Sequence, residues 1–181
     1  MQPNKARADL WMDLALMAFL IVFAVLARLL PHAPGFMPVA ASALFAGRML
    51  RIPALAVIVP IAAMLLSSLA MGPDDWRIAL IVYAAISLPA VAGMLSRRFS
   101  GIAPTAAVMV SCSLFFFAAS NFAVWAFSGM YSLNFAGLTE CYIAALPFLQ
   151  NTVAGDLFWS AVLFGGAWAI QNGAMLAGRA Q

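Results

Sequence analysis

The sequence predicts an all-α integral membrane protein: a six-helix bundle with both termini on the cytoplasmic side. Three observations carry this. Of 181 residues, 66% are hydrophobic and 8% charged, with a mean hydropathy of +1.01; soluble domains are about 45–50% apolar and about 25% charged. Proline, glycine and charge clusters cut the apolar sequence into six runs, most of them near the ~20 residues that cross a bilayer. The basic residues also fall predominantly on alternate connections. Together these exclude a soluble globule, a disordered tail and a disulfide-stapled secreted domain.

The first span is expected over residues 10–30. Lys5 and Arg7 precede it as they would a signal peptide. The apolar run is longer than the 7–15 residues of a signal core and further spans follow, so it reads as a retained helix. It ends at Pro31-His32-Ala33-Pro34-Gly35, where two prolines bar a continuing helix. The second span, 36–50, would be about 22 Å long and must be tucked among the others. The third covers 53–71, closed by Gly72-Pro73-Asp74-Asp75. The fourth, 76–95, is closed by Arg97-Arg98, and the fifth is 102–127. Residues 128–150 are expected to form an outside loop before a sixth span over 151–172. The whole chain, 1–181, reads as one transmembrane domain.

With the N-terminus inside, Lys5, Arg7, Arg48, Arg51, Arg97, Arg98 and Arg179 lie inside, while Arg28 and Arg77 lie outside. Seven against two satisfies the positive-inside rule. The outside connections then hold most of the polar, aromatic and proline-rich loop sequence, and that side is the expected ligand face.

The net charge of +3 comes without the basic stripe that nucleic acid requires. Two cysteines, Cys112 and Cys141, and one histidine have no diagnostic metal spacing, so no metal or cofactor is expected. No catalytic triad order, nucleotide loop or paired-carboxylate motif appears, and no enzyme is expected.

The remaining polar residues have two readings each. Arg28 either snorkels to the headgroups or pairs with an acid or a ligand. His32 sits between two prolines as a loop histidine or a ligand contact. Asp9, Asp13, Asp74 and Asp75 read as helix-terminal charges. Glu140 and Asp156 stand apart, because no Lys or Arg occurs between Arg98 and Arg179. Asp156 must pair across the bundle, with Arg28 or Arg77, be held by neighbours such as Asn151 and Thr152, or bind something. Asn121 is an amide in an aromatic setting (Phe115, Phe116, Phe117, Phe122, Trp125). With Tyr131 and Tyr142 these rings either pack or wall a pocket. Ala161, Gly165, Ala169 and Gly173 form a small-residue ladder of the kind that admits close helix approach, with a lesser version at Ala43 and Gly47.

The segments Arg28-Leu29-Leu30-Pro31-His32, Pro34, Phe36, Pro38-Val39 and Ala43-Leu44-Phe45-Ala46-Gly47 resemble an uncharacterised bacterial membrane-protein family. That family is similar to the S components, the substrate-binding subunits, of energy-coupling factor (ECF) transporters. The resemblance continues through Ser113-Leu114-Phe115-Phe116, Asn121-Phe122, Val124-Trp125, Tyr131, Gly137-Leu138 and Cys141-Tyr142. It then runs through Ala144-Ala145-Leu146-Pro147-Phe148 and Asn151-Thr152 to Gly155-Asp156, spanning roughly residues 28–166. It implies a six-helix protein of the bacterial cytoplasmic membrane that binds, and in some settings imports, a small vitamin-like molecule. The ligand set it suggests is His32, Phe36, Asn121, Trp125, Tyr142, Asn151 and Asp156, with Arg28 and Glu140 as ion-pairing or ligand groups. An energising membrane subunit with ATPases is the partner of that class. Ala15, Ala18, Ala24 and Ala27 lack the Ala-xxx-Ala docking face common there, which leaves a solitary carrier open. The competing expectation is a structural or assembly subunit of a larger membrane complex, docked through the ladder.

Overall fold

The structure is a computed structural model and describes residues 3–72, 75–99 and 101–179. Six helices follow one another: α1 (Pro3–Leu29), α2 (Val39–Met49), α3 (Pro53–Met71), α4 (Trp76–Leu95), α5 (Ile102–Phe127) and α6 (Phe135–Arg179). No strand occurs among the described residues. All but α2 are long and apolar enough to cross a membrane. Pro73 and Asp74, expected in the turn before α4, lie outside the described residues, as does the side chain of Arg179.

The starts of these helices follow ordinary capping chemistry. α3 begins with Pro53, whose missing N–H costs nothing in a first turn. α4 is capped by Asp75, whose carboxylate accepts from the Arg77 backbone N–H at 2.8 Å.

α2, at 11 residues, is about 16 Å long and too short to span alone. It is instead the axis of the bundle, with residues 39–47 all buried. Both hydrophobic clusters run through it: Leu44 packs with Ala24, Met64, Ile86 and Met109, and Phe45 with Leu20 and Val59. α2 and α4 cross at van der Waals limits. A Cβ on Gly47 would lie 2.1 Å from the Ala90 carbonyl oxygen, and one on Gly93 would lie 2.4 Å from that of Leu44. The small-residue face that brings backbones together is therefore the lesser one, on α2. The larger ladder on α6 is exposed at Ala161, Gly165, Ala169 and Gly173.

One end of the bundle is tied by arginines. Arg51 bridges to Asp9 at 3.4 Å and Asp13 at 3.5 Å, and its backbone N–H donates to Asp13 at 2.9 Å. Arg97 donates to the carbonyls of Gly47 (2.9 Å) and Leu50 (2.5 Å), satisfying the C-terminus of α2. Arg48 donates to Ser96 at 3.2 Å and Thr105 at 2.5 Å, and lies 5.3 Å from the centre of the Phe164 ring. The opposite end carries the connections at 30–38 and 128–134, with Gly72 and Asp75.

The expected outside loop over 128–150 is corrected: only 128–134 is non-helical, and α6 runs for 45 residues from Phe135. Pro147, expected at the start of the last span, lies inside this helix. The physical reason is a buried stripe. Gly137, Cys141 and Ala145 recur every four residues and are buried, while Tyr142 Oη donates to the Ala118 carbonyl of α5 at 2.6 Å. The polar Thr139 and Glu140 that suggested a loop point outward from this helix and are exposed.

Candidate functional site

A cavity of about 240 Å³ lies in the middle of the bundle, and every helix contributes to its wall. Its polar lining is Arg28 from α1, Ser113 from α5, and Thr152 and Asp156 from α6. Met64, Ile86 and Phe116 are among the residues that supply apolar wall.

Asp156 is 3% exposed, and its carboxylate accepts from Ser113 Oγ at 2.6 Å. A carboxylate has about four acceptor positions, and burying it without counter-charge is costly. Among the described residues no salt bridge reaches it. Arg28 places a guanidinium on the wall of the same cavity and donates from Nη1 to the Met64 sulfur at 2.7 Å. Arg77, the other proposed partner for Asp156, is engaged elsewhere, bridging Asp75 at 2.9 Å. That pairing holds the Asp75 carboxyl well below its ordinary range, at about 2.

Thr152, Asp156 and Ser160 recur every four residues, so α6 turns a polar stripe toward the interior. Ser160 Oγ and, on α2, Ser42 Oγ are buried without a hydrogen-bond partner among the described residues. Such atoms are ordinarily satisfied by internal water.

The α1–α2 connection covers the cavity at one end, with Gly35 and Met37 in its wall. Gly35 has φ +82°, and a Cβ there would sit 2.5 Å from Thr152 Oγ1. Below it, Gly155 lets the backbone of Phe36 approach so closely that an added Cβ would be 2.8 Å from the Phe36 Cα. The Phe36 ring packs on Phe158 and Trp159, at 5.5 and 6.2 Å between centroids.

Of the residues singled out in the sequence, the cavity gathers Arg28, Cys112, Phe116, Thr152 and Asp156, and the remaining candidates for ligand contact lie outside its lining. Phe36 braces the cover without lining the cavity. His32 is exposed, hydrogen-bonded at 2.7 Å to the Leu30 carbonyl. Asn121 donates to its own helix, at Phe117 O, 2.7 Å away. Trp125 Nε1 donates to the Ser132 carbonyl at 3.0 Å and so closes the α5–α6 connection. Tyr142 ties α6 to α5, Asn151 is half-buried outside the lining, and Glu140 is exposed. The aromatic residues divide between the two readings: Phe117 packs edge-to-face on Tyr142 at 5.6 Å and Phe122 lies against Trp125 at 5.4 Å, while Phe116 lines the cavity. Ser113 and Ser160 had only weak sequence signals; the four-residue spacing of Thr152, Asp156 and Ser160 was the readable one.

A second, wider hollow of about 700 Å³ opens between α1 and α6 with α2 as its floor. It is apolar apart from Asp13, Arg51 and Gln171. Toward the other end, Phe23 and Trp159 meet edge-to-face at 5.4 Å and join the same two helices.

The chain belongs to the family of unknown function DUF6580, whose model matches residues 8–177. No curated protein and no solved structure matches it.

Proposed function

We propose that this protein is a multi-pass carrier or binding subunit of the bacterial cytoplasmic membrane that holds a small polar organic molecule in the cavity between its helices. The observation that supports this most is Asp156: a buried carboxylate held, among the described residues, by the Ser113 hydroxyl and facing a cavity whose wall also includes Arg28. The carboxylate borders a space of about 240 Å³, equal to the share of about eight waters in the liquid. Ligand sites usually run to about 300–1,000 Å³, so the ligand is at the small end of that class, below most vitamins.

In this reading the arginine end faces the cytoplasm, in keeping with the positive-inside rule, and the ligand enters from the end covered by the α1–α2 connection. The chain then acts as an S-component-like protein, alone or with an energising subunit. The experiment is native mass spectrometry of the protein released from lipid nanodiscs, beside an Asp156→Asn variant. A small molecule retained by the wild type and lost from the variant supports the reading. Equal retention by both, with the variant folded, counts against it.

A second reading, a docking subunit of a larger complex, is favoured by the ladder on α6. It is exposed throughout, and nothing lies within 4 Å of a Cβ placed on Gly165 or Gly173. Co-purification of a second membrane protein, lost on Gly165→Leu, is the result this reading requires.

A further inference from the structure

Ser113 sits within hydrogen-bond reach of two acceptors and has one proton to give. Its Oγ lies 2.6 Å from Asp156 Oδ2 and 3.0 Å from the Met109 carbonyl oxygen, one turn back along α5. A hydroxyl donates once, and neither a carboxylate nor a carbonyl donates at all. With Asp156 ionised, Ser113 gives its hydrogen to the carboxylate and the contact to Met109 has none. With Asp156 protonated, the carboxyl donates to Ser113, Ser113 donates to Met109, and both contacts are filled. The same three groups thus serve the acid in either state.

The wall around Asp156 leaves its charge to be cancelled from the cavity. Asp156 is 3% exposed, and a buried charge without a counter-charge is costly. The other titratable groups on the wall are Arg28 of α1 and Cys112 of α5. Arg28 is already engaged, with Nη1 on the Met64 sulfur at 2.7 Å, and among the described residues no salt bridge joins it to Asp156. From α2, α3 and α4 come Val39, Met64, Val82 and Ile86, none of which titrates. From α6 comes Thr152, whose hydroxyl donates to the Phe148 carbonyl at 2.9 Å.

Two things can then neutralise the carboxylate: a proton on it, or a cation beside it. Resting on the binding function proposed above, we propose that Asp156 exchanges one for the other, so that the ligand is a small organic cation that enters as the carboxyl proton leaves. The carboxyl O–H bond breaks, the proton passes to water, and the electron pair stays on the carboxylate that faces the ligand's positive charge. Ser113 turns its hydrogen from the Met109 carbonyl to the carboxylate, and the reverse happens on release. A hard metal ion such as Ca²⁺ takes about 6–8 oxygen ligands, whereas the side-chain oxygens of the wall are those of Asp156, Ser113 and Thr152. Phe116 and the aliphatic wall suit a charge surrounded by carbon.

The test uses the full-length protein in phosphatidylcholine nanodiscs, with empty nanodiscs as blanks. Tetramethylammonium and n-butylammonium are titrated calorimetrically, with butyrate and n-butanol as anionic and neutral controls. Each titration is run in two buffers of different ionisation enthalpy, which counts the protons released. Tetramethylammonium has no proton to give, so any proton released on its binding comes from the protein. The cations are expected to bind, with release approaching one proton per cation and affinity falling by about tenfold per pH unit toward acid. Asp156→Asn is expected to abolish the release and to weaken cation binding at least about tenfold, the loss of one charged partner. Thermal unfolding of the variant reports its folding, and if it unfolds the pH series on the wild type decides. Butyrate or n-butanol binding as tightly as the cations overturns the inference. So does cation binding with no proton released and an affinity unchanged between about pH 8 and about pH 5. If native mass spectrometry shows a neutral or anionic molecule held through Asp156 and no cation binds, the inference fails while the binding function stands. If nothing is retained and no probe binds, both fail.

Discussion

Ser113 and Asp156 meet across the α5–α6 seam through a 2.6 Å hydrogen bond, with both side chains almost wholly buried. The bond fixes the carboxylate against the cavity wall and is the direct polar tie between these helices at that depth.

Ser113→Ala removes the donor and leaves the Asp156 carboxyl buried without it. Hydrogen bonds to charged groups contribute about 1.5–3 kcal/mol, so unfolding in detergent is expected to become easier by about that amount. Asp156→Asn keeps a carbonyl acceptor for Ser113 and is expected to cost less. If Ser113→Ala is neutral while Asp156→Asn is severe, the hydrogen bond is not what holds the carboxylate.

The α2–α4 crossing leaves no room for a methyl group at Gly47, where the added carbon would meet the Ala90 carbonyl at 2.1 Å. Gly47→Ala must separate two backbones at the centre of the bundle and is expected to destabilise by about 1–3 kcal/mol or more. Gly165→Ala meets nothing within 4 Å and is expected to stabilise the isolated protein by about 0.5–1 kcal/mol through helix propensity. Thermal unfolding of the two variants side by side checks the contrast.

Gly155→Leu drives a side chain into Phe36 and is expected to lift the α1–α2 connection from α6. Cys112, in the cavity wall, then becomes accessible. The measurement is the rate of thiol labelling in a Cys141→Ser background, which is expected to rise at least about tenfold as local opening becomes easier. An unchanged rate would mean that the connection does not cover the cavity.

Asp75 contributes through its cap and its pairing with Arg77. Its folded-state pKa is depressed from 3.8 to about 2. The contribution is therefore fully present above about pH 4 and is lost as pH falls through about 2. The stability difference between wild type and Asp75→Asn is expected to be constant from pH 5 to 8 and to vanish only at the acid end. A difference that changes near neutrality would assign the effect to another group.

Asp13 is 5% exposed and accepts the Arg51 backbone N–H at 2.9 Å, whereas the neighbouring Asp9 pairs with Arg51 in a more exposed position. Asp13→Ala strands a backbone donor where the chain turns from α2 to α3 and is expected to cost about 1–3 kcal/mol. Asp9→Ala removes a solvent-screened pair and is expected to cost about 0–1 kcal/mol. Denaturation of both variants at low and high salt distinguishes them, since only the exposed pair weakens with salt.

The sequence by itself determined the all-helical class, the bounds of α3, α4 and α5, and the isolation of Glu140 and Asp156 from any basic residue. Each follows from quantities local to the chain: apolar run length, proline and glycine breaks, and the absence of a basic residue from 99 to 178. Tertiary structure alone decided that α2 is the buried axis, that α6 begins at Phe135, and that Arg28, Ser113 and Asp156 share one cavity. A polar residue looks the same in sequence whether its helix turns it to a neighbour or away. Glu140 and Asp156 were equally isolated as acids. The rotation of α6 against α5 and α2 exposes the first and encloses the second, and that rotation is set by packing across the bundle.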